Sequence, residues 1–345
     1  MGSEFCALST KLKAMHAGHL TSAEYSSLLE AKSVGEICSS LKETVYAPYI
    51  SDLNEFDVHR GKLEERLDSR KRNEYLKLYV FVDLNQRKMI RFFFMRDEIE
   101  ALKIVLRACY NHETSYLIHM DELKSDFFKK HSDINTELLI QSRTTESVAQ
   151  ACKGTVFYPV LRHAVSSGAD YTTVCMMLDR LYFKNLWRDA QKYIPKAQKE
   201  DFKKYVGTQI DYLNIMWIYR CKKYFKMPNE LIYTYLIPVY YRLSKEDISQ
   251  MAEAPDTETI ENTVAGGVYR KIFAKTDETF LIERVYKRIW YENAKKAYKL
   301  NPGTMTEVFA YFDLLIIEIE NLETVIEGIR YKADTELIRK NIYTD

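Results

Sequence analysis

Three acidic residues stand at the same place in a short segment that recurs along the chain. The segments read EIEALKIVLR, DYLNIMWIYR and EIENLETVIE, and they begin at Glu98, Asp211 and Glu318. Carboxylates in a repeated pattern could act as general acids or bases, or bind cations. Each acid, however, holds one place in a repeated packing element. We therefore predict helix-surface acids that meet a basic group in the neighbouring repeat, and no catalytic residue.

Other residue types that could carry chemistry lack the partners they need. His16 and His19 have the spacing of metal ligands on a helix, but Gly18 lies between them and no cysteine or carboxylate cluster accompanies them. The six cysteines form no CxxC pair, and no GxSxG pattern occurs. The stretch Ala265-Gly266-Gly267 lacks the Lys-Ser/Thr of a phosphate loop and predicts a helix C-terminus. We predict no metal site and no cofactor.

The elements that would position the acids are also repeated. Residues 20–50, 131–161 and 243–273 align without a gap. Their shared positions hold N-cap residue types, whose side-chain oxygens accept from free N–H groups of a first helical turn. The six positions are Thr21, Ser132 and Ser244, followed by Ser33, Thr144 and Asp256. Apolar residues also coincide, and the pattern predicts a capped pair of short helices in each block.

Each recurring acid segment closes a longer helix that follows a turn, marked by Pro195 and Pro302 in the later copies. Asn214 and Asn321 are equivalent residues one turn after the acid, and Ala101 stands there in the first copy. Residues 76–95 are rich in Val, Phe and Tyr and would locally suit a β-hairpin. We expect a helical hairpin instead, because the helical pattern after Asp97 runs on directly, and we also expect a helix over 52–73.

Together these patterns predict an all-α protein of three similar helical units, each a capped helix pair followed by a long helical hairpin. The predicted units are 1–110, 111–225 and 226–345, packed as one body. The 345 residues include 50 basic and 49 acidic ones, a balance that argues against nucleic-acid binding. Reduced cysteines suit a cytoplasmic protein, and no apolar run is long enough for a direct membrane span.

At this point the residues resemble a known family. Residues 20–50 look like the N-terminal signature of the C subunit of V-type (A/V-type) ATP synthases, whose counterpart in eukaryotic V-ATPases is the d subunit. Residues 98–108 are similar to that family's acid-x-x-Asn-Leu-Lys-x-x-Leu-Arg helix, with Ala101 in place of the usual Asn. Residues 321–331 (NLETVIEGIRY) resemble its C-terminal helix. The resemblance covers about residues 7–333.

The resemblance implies a non-catalytic protein shaped like a funnel around a pseudo-threefold axis. Such a protein would be monomeric within a rotary ATPase complex, on the cytoplasmic side and peripheral to the membrane. Its partners would be the central-stalk rotor subunits and the membrane rotor ring of proteolipid subunits. Its function would be to couple ATP hydrolysis or synthesis to H⁺ or Na⁺ transport. No short motif identifies the interface residues.

Two alternatives from other classes remain at this stage. One is a free-standing α-helical-repeat adaptor, and the other is an α-helical enzyme with a site at a repeat junction. An open solenoid adaptor normally has more and shorter repeats with polar capping repeats at its ends. Three long units are less typical of an adaptor, and no group of residues with the pattern of an active site supports the enzyme.

Overall fold

The computed structural model describes residues 2–56, 58–112, 123, 125–270 and 282–344. Within them the protein is all-helical, without strands, as predicted. Residues 271–273 of the third predicted block lie outside the described residues. The helices, in chain order, are α1 (Gly2–His16), α2 (Ser22–Glu30), α3 (Val34–Lys42), α4 (Ala47–Ile50), α5 (Arg60–Tyr79), α6 (Leu84–Asn111), α7 (Asp126–His131), α8 (Thr136–Gln141), α9 (Thr145–Ala151), α10 (Tyr158–Ser167), α11 (Tyr171–Tyr193), α12 (Lys199–Lys223), α13 (Asn229–Tyr235), α14 (Lys245–Ala252), α15 (Thr257–Gly266), α16 (Ile282–Leu300), α17 (Met305–Arg330) and α18 (Thr335–Arg339).

Five of the six predicted N-cap residues begin a short helix in the structure. The Thr21 hydroxyl accepts from the Glu24 N–H, and the Glu24 carboxylate accepts from the Thr21 N–H at 2.6 Å, which forms a capping box on α2. The other predicted caps that form are Ser33 on α3, Thr144 on α9, Ser244 on α14 and Asp256 on α15. The start of each of these five helices is therefore fixed by a hydrogen bond between residues close in sequence.

Ser132 is the exception, and the prediction that it caps a helix is wrong. Asn135 caps α8, because its side-chain oxygen accepts from the Leu138 N–H at 3.0 Å. Ser132 instead ends the preceding helix α7, where its N–H donates to the carbonyl of Phe128. Its hydroxyl is thereby available for a contact described below.

The region of β-forming residues is a helical hairpin, as predicted, made of α5 and α6. The helix predicted over 52–73 begins later than expected, at Arg60, so that start was wrong. His59 caps it through Nδ1, which accepts from the Gly61 N–H, and the Asn54 side chain instead accepts from the Phe56 N–H in a turn. Phe56 is 90% exposed, so it does not belong to the apolar face of the helix.

The described chain forms two compact units, and each is considered by itself. Unit 1 comprises Met1–Ile90, Tyr193–Lys226 and Tyr240–Asp345. Unit 2 comprises Arg91–Lys192 and Met227–Val239. Among the described residues, no helix combines the length and the apolar character that crossing a membrane requires.

Helix α17 forms the centre of unit 1. Nearly all of its residues from Met305 to Ile319 are buried, and it packs against α1, α5, α12 and α16. Burial of each large apolar side chain, such as Leu315, contributes roughly 1.5–3 kcal/mol. The same helix also buries Glu318, so the packing that stabilises the unit brings a carboxylate into its interior.

In unit 2, the short helix α9 packs against both α8 and α10. Leu139, Val148 and Cys152, which the repeat places on the apolar face, are each fully buried. The predicted helix pair therefore forms in this unit, with Thr144 as one of its caps and Asn135 in place of Ser132 as the other. It lies next to the carboxylate of Glu98, which α6 carries.

Candidate functional site

The three recurring acids are buried rather than at a helix surface, which corrects the prediction. Glu98, Asp211 and Glu318 are 1%, 0% and 4% exposed. They lie on α6, α12 and α17, the three helices that the recurring segments were predicted to close. Burying an ionised carboxylate is costly unless it is paired and hydrogen-bonded. Each acid must therefore be judged by the groups that face it.

Glu318 in unit 1 is the most fully compensated of the three. Its carboxylate accepts from Arg70 Nη1 at 2.5 Å, from the Tyr46 hydroxyl at 2.8 Å and from the Leu20 N–H at 2.8 Å. His19 Nδ1 lies 3.0 Å from Oε2 of the same carboxylate, the oxygen that also accepts from the Leu20 N–H. Burial by itself would raise the pKa of Glu318, but His19 and Arg70 lower it to about 2. The group is therefore a fixed anion at neutral pH.

Arg70 is itself almost fully buried, at 1% exposed, in the middle of α5. Besides Glu318, its guanidinium donates to the Gly18 carbonyl at 3.0 Å and lies over the ring of Tyr46. A planar guanidinium suits such a site, because it offers several donors in fixed directions. Arg70 thus joins the turn after α1, helix α5 and helix α17 through a single side chain.

Asp211, also in unit 1, has no cationic partner among its described hydrogen bonds. Its carboxylate accepts from the Tyr269 hydroxyl at 2.6 Å and from the N–H groups of Arg242 at 2.7 Å, Leu243 at 3.1 Å and Tyr241 at 3.2 Å. Burial raises the pKa of Asp211, and these hydrogen bonds partly offset the rise. The predicted basic partner is replaced by backbone donors and a phenol.

Gly207 explains how the backbone comes close enough to Asp211. It lies one turn earlier on α12, directly under Tyr241. A Cβ atom at this glycine would stand only 2.5 Å from the Tyr241 ring, which is closer than real Cβ contacts allow. The absence of a side chain lets the segment 241–243 cross the helix in contact, with its N–H groups directed at the carboxylate. The sequence analysis did not identify this residue.

Glu98 in unit 2 combines both kinds of partner. Arg91, two turns earlier on the same helix, donates to both carboxylate oxygens at 2.9 and 3.1 Å. The Ser132 hydroxyl donates to the same carboxylate at 2.7 Å. Burial raises the pKa of Glu98, and the Arg91 contact counteracts the rise. The basic partner exists here, but it belongs to the same helix rather than to a neighbouring repeat.

The partners of the acids fall at equivalent positions of the aligned blocks. Leu20 and Leu243, which donate through their N–H groups to Glu318 and Asp211, are aligned, and so are Tyr46 and Tyr269. Ser132, the partner of Glu98, aligns with the caps Thr21 and Ser244. Each acid therefore contacts the block that follows it in the repeat order, and Glu318 contacts the first block.

Phe157 is the one aromatic residue of the aligned set that has no hydroxyl to offer. It is buried at 2% exposed in unit 2, and it aligns with Tyr46 and Tyr269. Arg91 and Ser132 compensate Glu98 in that unit instead.

The asparagines predicted to recur after the acids are buried as well. Asn321 is tied to the C-terminal segment, because its side chain accepts from the Tyr343 N–H at 2.9 Å and donates to the Tyr343 carbonyl at 2.7 Å. Asn214 is 1% exposed on α12. Asn321 therefore holds the backbone of the C-terminal segment in place.

The arrangement holds helices together and leaves little room for reaction chemistry. Every acid has its carboxylate oxygens engaged by protein donors, so none is positioned as a general base toward a substrate. Among the described residues, no cluster of three or more His, Cys, Asp and Glu side chains could hold a metal ion. His19 was considered as a metal ligand from its spacing, and it contacts Glu318 instead.

Sequence reasoning missed Arg70 and Tyr46 as partners. Arg70 lies on a helix whose other charged residues are exposed or half-buried apart from Glu74, so its charge alone does not distinguish it. The recurrence of an aromatic residue at positions 46, 157 and 269 was visible, and it is the signal that could have identified Tyr46 and Tyr269.

Comparison with known proteins gives a consistent result. The family described as ATP synthase (C/AC39) subunit matches residues 8–341. The C subunit of the A-type ATP synthase of Methanocaldococcus jannaschii is 21% identical over 96% of this chain and 84% of its own length. The proteins of the same name from Thermococcus kodakarensis and Pyrococcus horikoshii are 20% and 25% identical, each over 96% of this chain and 88% of their own length.

Proposed function

This chain belongs to the ATP synthase (C/AC39) subunit family, and from that premise we propose that it is a non-catalytic coupling subunit of an A/V-type rotary ATP synthase. In this role it links the central-stalk rotor subunits to the membrane rotor ring on the cytoplasmic side. Rotation driven by ATP hydrolysis, or by ion flow in the other direction, is transmitted through it and is thereby coupled to H⁺ or Na⁺ transport.

The observation that carries the proposal is the family match over nearly the whole chain, from residue 8 to residue 341. The relatives that share most of its length are named as subunits of A-type ATP synthases. The chain covers most of each relative, so the proposal concerns the whole subunit rather than one shared domain.

The buried acids support a mechanical role. A subunit that transmits torque must resist bending where its helices join. Charge-assisted hydrogen bonds such as Arg70 to Glu318 fix the geometry of several elements at once. A buried ion pair adds little net stability compared with an apolar core, but it penalises any movement that would separate the charges. This is the property that a rigid coupler needs.

The three repeat units, 1–110, 111–225 and 226–345, are part of the same proposal, as is their arrangement around a pseudo-threefold axis. The equivalent contacts of the three acids support it. In this proposal the repeat-defining positions are the six aligned polar positions, the three acids and the two asparagines. They shape the subunit and do not contact ATP or the transported ion.

The test is co-purification followed by reconstitution. A tagged chain is expected to retain both central-stalk subunits and ring proteolipids. Membranes depleted of it are expected to keep ATP hydrolysis by the catalytic part but to lose ATP-driven ion uptake, and addition of the purified chain restores uptake. A well-folded chain that retains neither partner would contradict the coupler. Retention of unrelated proteins alone would favour the free-standing adaptor.

A further inference from the structure

We propose that the turn between α5 and α6 in unit 1 binds directly to the surface of a membrane that contains anionic phospholipid. We call this turn, residues 80–84, the apolar tip. Three of its side chains are large, apolar and exposed, namely Val80 at 71%, Phe81 at 46% and Leu84 at 74%. Among the described residues, no other stretch of five exposes three such side chains. Direct contact with lipid goes beyond the proposed coupling function and does not depend on it.

Hydrogen bonds fix the backbone of the apolar tip. The Asp83 carboxylate accepts from the N–H groups of Asn85 at 2.7 Å and Gln86 at 2.9 Å. The Gln86 side chain in turn accepts from the Asp83 N–H at 3.1 Å, which is the reciprocal pattern of a capped helix start. Arg87 Nε donates to the Val82 carbonyl at 3.2 Å. The polar side chains therefore hold the turn in one shape, and the apolar side chains of that shape are left facing water.

The equivalent turns of the other two repeats show that the fold does not require this exposed apolar surface. Counting back from the recurring acids aligns Leu84 with Ala197 and Thr304. A small or a polar residue thus completes the turn at this position. The same count aligns Phe81 with Ile194, which is 3% exposed and is held by packing inside the chain. Packing does not account for the exposed residues of the apolar tip, and a cluster of this kind is typical of a contact outside the chain.

Basic side chains accompany the apolar tip. Between residues 78 and 90 the chain holds one acid, Asp83, and two cations, Arg87 and Lys88. Lys88 is exposed, and its Nζ lies 4.6 Å from the centre of the Tyr193 ring, which begins the equivalent turn of the second repeat. Residues 193–199 of that turn include two lysines and no acid. The surface around the apolar tip therefore favours an anionic partner, which lies within the range of these charges when the tip makes contact.

A lipid surface matches both features at once. Apolar side chains enter the boundary between head groups and acyl chains, while neighbouring lysines and arginines interact with anionic head groups. Their long side chains can reach the head groups from beside an inserted residue. The core of a protein–protein interface, by contrast, is depleted of lysine. A protein partner would also need a socket shaped to this turn, whereas the surface of a bilayer adapts to it.

The test is co-sedimentation of the purified chain with vesicles made of equal amounts of phosphatidylcholine and phosphatidylglycerol. We expect binding that weakens by about tenfold or more on vesicles of phosphatidylcholine alone, because the cations then lack anionic partners. The double variant Val80→Ser/Leu84→Ser should weaken binding to the mixed vesicles by about tenfold or more. Both side chains are mostly exposed, so circular dichroism should show an unchanged fold.

Two matched pairs of variants separate the apolar tip from the rest of the surface. Phe81→Ser should weaken binding by about threefold to tenfold, whereas Phe56→Ser should leave it unchanged. Phe56 is the control because it is 90% exposed in unit 1 and follows the acidic Glu55. Lys88→Gln should weaken binding by about fivefold, whereas Lys32→Gln, at another exposed lysine of unit 1, should not change it.

A tryptophan at the apolar tip keeps the proposal testable even where a serine variant fails to fold. Phe81→Trp preserves an apolar side chain, and vesicles with brominated acyl chains should quench the fluorescence that it adds. Phe56→Trp should add fluorescence that the same vesicles leave unquenched. Equal quenching at the two positions would overturn the assignment of lipid binding to the apolar tip.

Absence of wild-type binding to the mixed vesicles would also overturn the proposal, as would unchanged binding by Val80→Ser/Leu84→Ser. If the wild-type chain ignores vesicles and Phe81→Ser loses a co-purifying protein, the apolar tip contacts a protein and the lipid assignment is wrong. The vesicle experiments use the purified chain without other subunits, so the proposed function can fail or succeed separately.

Discussion

Glu318 and Asp211 occupy equivalent places in two copies of one sequence element, and unit 1 compensates their burial in different ways. Glu318 faces the guanidinium of Arg70 and the imidazole of His19. Asp211 faces the hydroxyl of Tyr269 and three backbone N–H groups. The pKa of Glu318 is lowered to about 2, whereas burial raises the pKa of Asp211.

The difference shows which part of the repeat is retained. Both acids reach the beginning of a capped helix pair and a tyrosine hydroxyl that follows it, so the geometry recurs. The other hydrogen-bond donors to the two carboxylates differ, because a buried carboxylate requires several hydrogen bonds but not a particular kind of donor. Glu98 in unit 2 combines an arginine with a serine hydroxyl, which is a third solution.

The largest effect should follow the loss of the cation at Glu318. Arg70→Met leaves Glu318 buried without its strongest partner and should lower the free energy of unfolding by about 3–5 kcal/mol. Denaturant unfolding monitored by circular dichroism measures it. Arg66→Met is the control on the same helix, since Arg66 pairs with the exposed Asp52 and should cost no more than about 1 kcal/mol. Equal losses in the two variants would contradict a special role for Arg70.

The tyrosine hydroxyls test the shared part of the comparison. Tyr46→Phe and Tyr269→Phe each remove a hydrogen bond to a buried carboxylate and should cost about 1.5–3 kcal/mol in the same unfolding assay. Tyr49→Phe is the control, because the Tyr49 hydroxyl accepts from Asn73 at an exposed site. It should lower the free energy of unfolding by less than about 1 kcal/mol.

Phe157→Tyr supplies unit 2 with the hydroxyl that the other two positions have. Alignment with Tyr46 and Tyr269 predicts that position 157 faces Glu98, so the substitution should change the free energy of unfolding by no more than about 1 kcal/mol in the same assay. A loss as large as that of Tyr46→Phe would show that the repeat is not equivalent at this position.

The pH dependence of two charge-removing variants should have opposite signs. Glu318 has a folded-state pKa below that of an unfolded glutamate, so its ionised form adds stability that is lost as the pH falls from about 4.3 toward 2. Asp211 has a raised folded-state pKa, so its contribution weakens as the pH rises from about 3.9 through that folded value. Urea unfolding over a pH series measures both.

Relative to the wild-type chain, Glu318→Gln should therefore be more destabilising at about pH 6 than at about pH 3, by about 1 kcal/mol or more. Asp211→Asn should show the reverse trend over the same range. Parallel pH profiles for the two variants would mean that the two acids are compensated in the same way, against the geometry described above.

The smallest effect concerns Glu323, which lies after Glu318 on α17. Burial and the nearby Asp68 raise the pKa of Glu323 to about 7. Its folded-state pKa exceeds that of an unfolded glutamate, so wild-type stability should decline as the pH rises from about 4.3 to 7. Glu323→Gln should remove that decline and stabilise the chain by about 1 kcal/mol or less at pH 8. Thermal melting at about pH 5 and pH 8 measures it, and an equal gain at both values would rule out the ionisation of Glu323 as the cause.

Much of the helical framework could be predicted because it depends on local chemistry. The N-caps at Thr21, Ser33, Thr144, Ser244 and Asp256 form where the residue types and spacing predict them. A capping side chain acts over three residues, so its effect is readable without knowledge of the fold. The same reasoning failed at Ser132, because α7 extends up to that residue and Asn135 begins the next helix.

The helical hairpin of α5 and α6 was predictable for a different reason. Its β-forming residues are also the apolar residues that a buried helix requires. The continuous helical pattern after Asp97 outweighed the local propensity of these residues for β-strands. The late start of α5 was not predictable, since it depends on the turn around Asn54 and on the cap at His59.

The sequence by itself determined that this protein is all-helical and that three acids recur at equivalent places. It also determined that the chain resembles a component of a rotary ATPase. These features could be read from the sequence because capping, periodicity and repetition are properties of residue order. Only the tertiary structure decided that those acids are buried and which groups face them. Arg70 and Glu318 are far apart in the chain, and their pairing depends on α5 packing against α17. The energy of a buried charge is set by its surroundings in three dimensions, and residue order does not specify those surroundings.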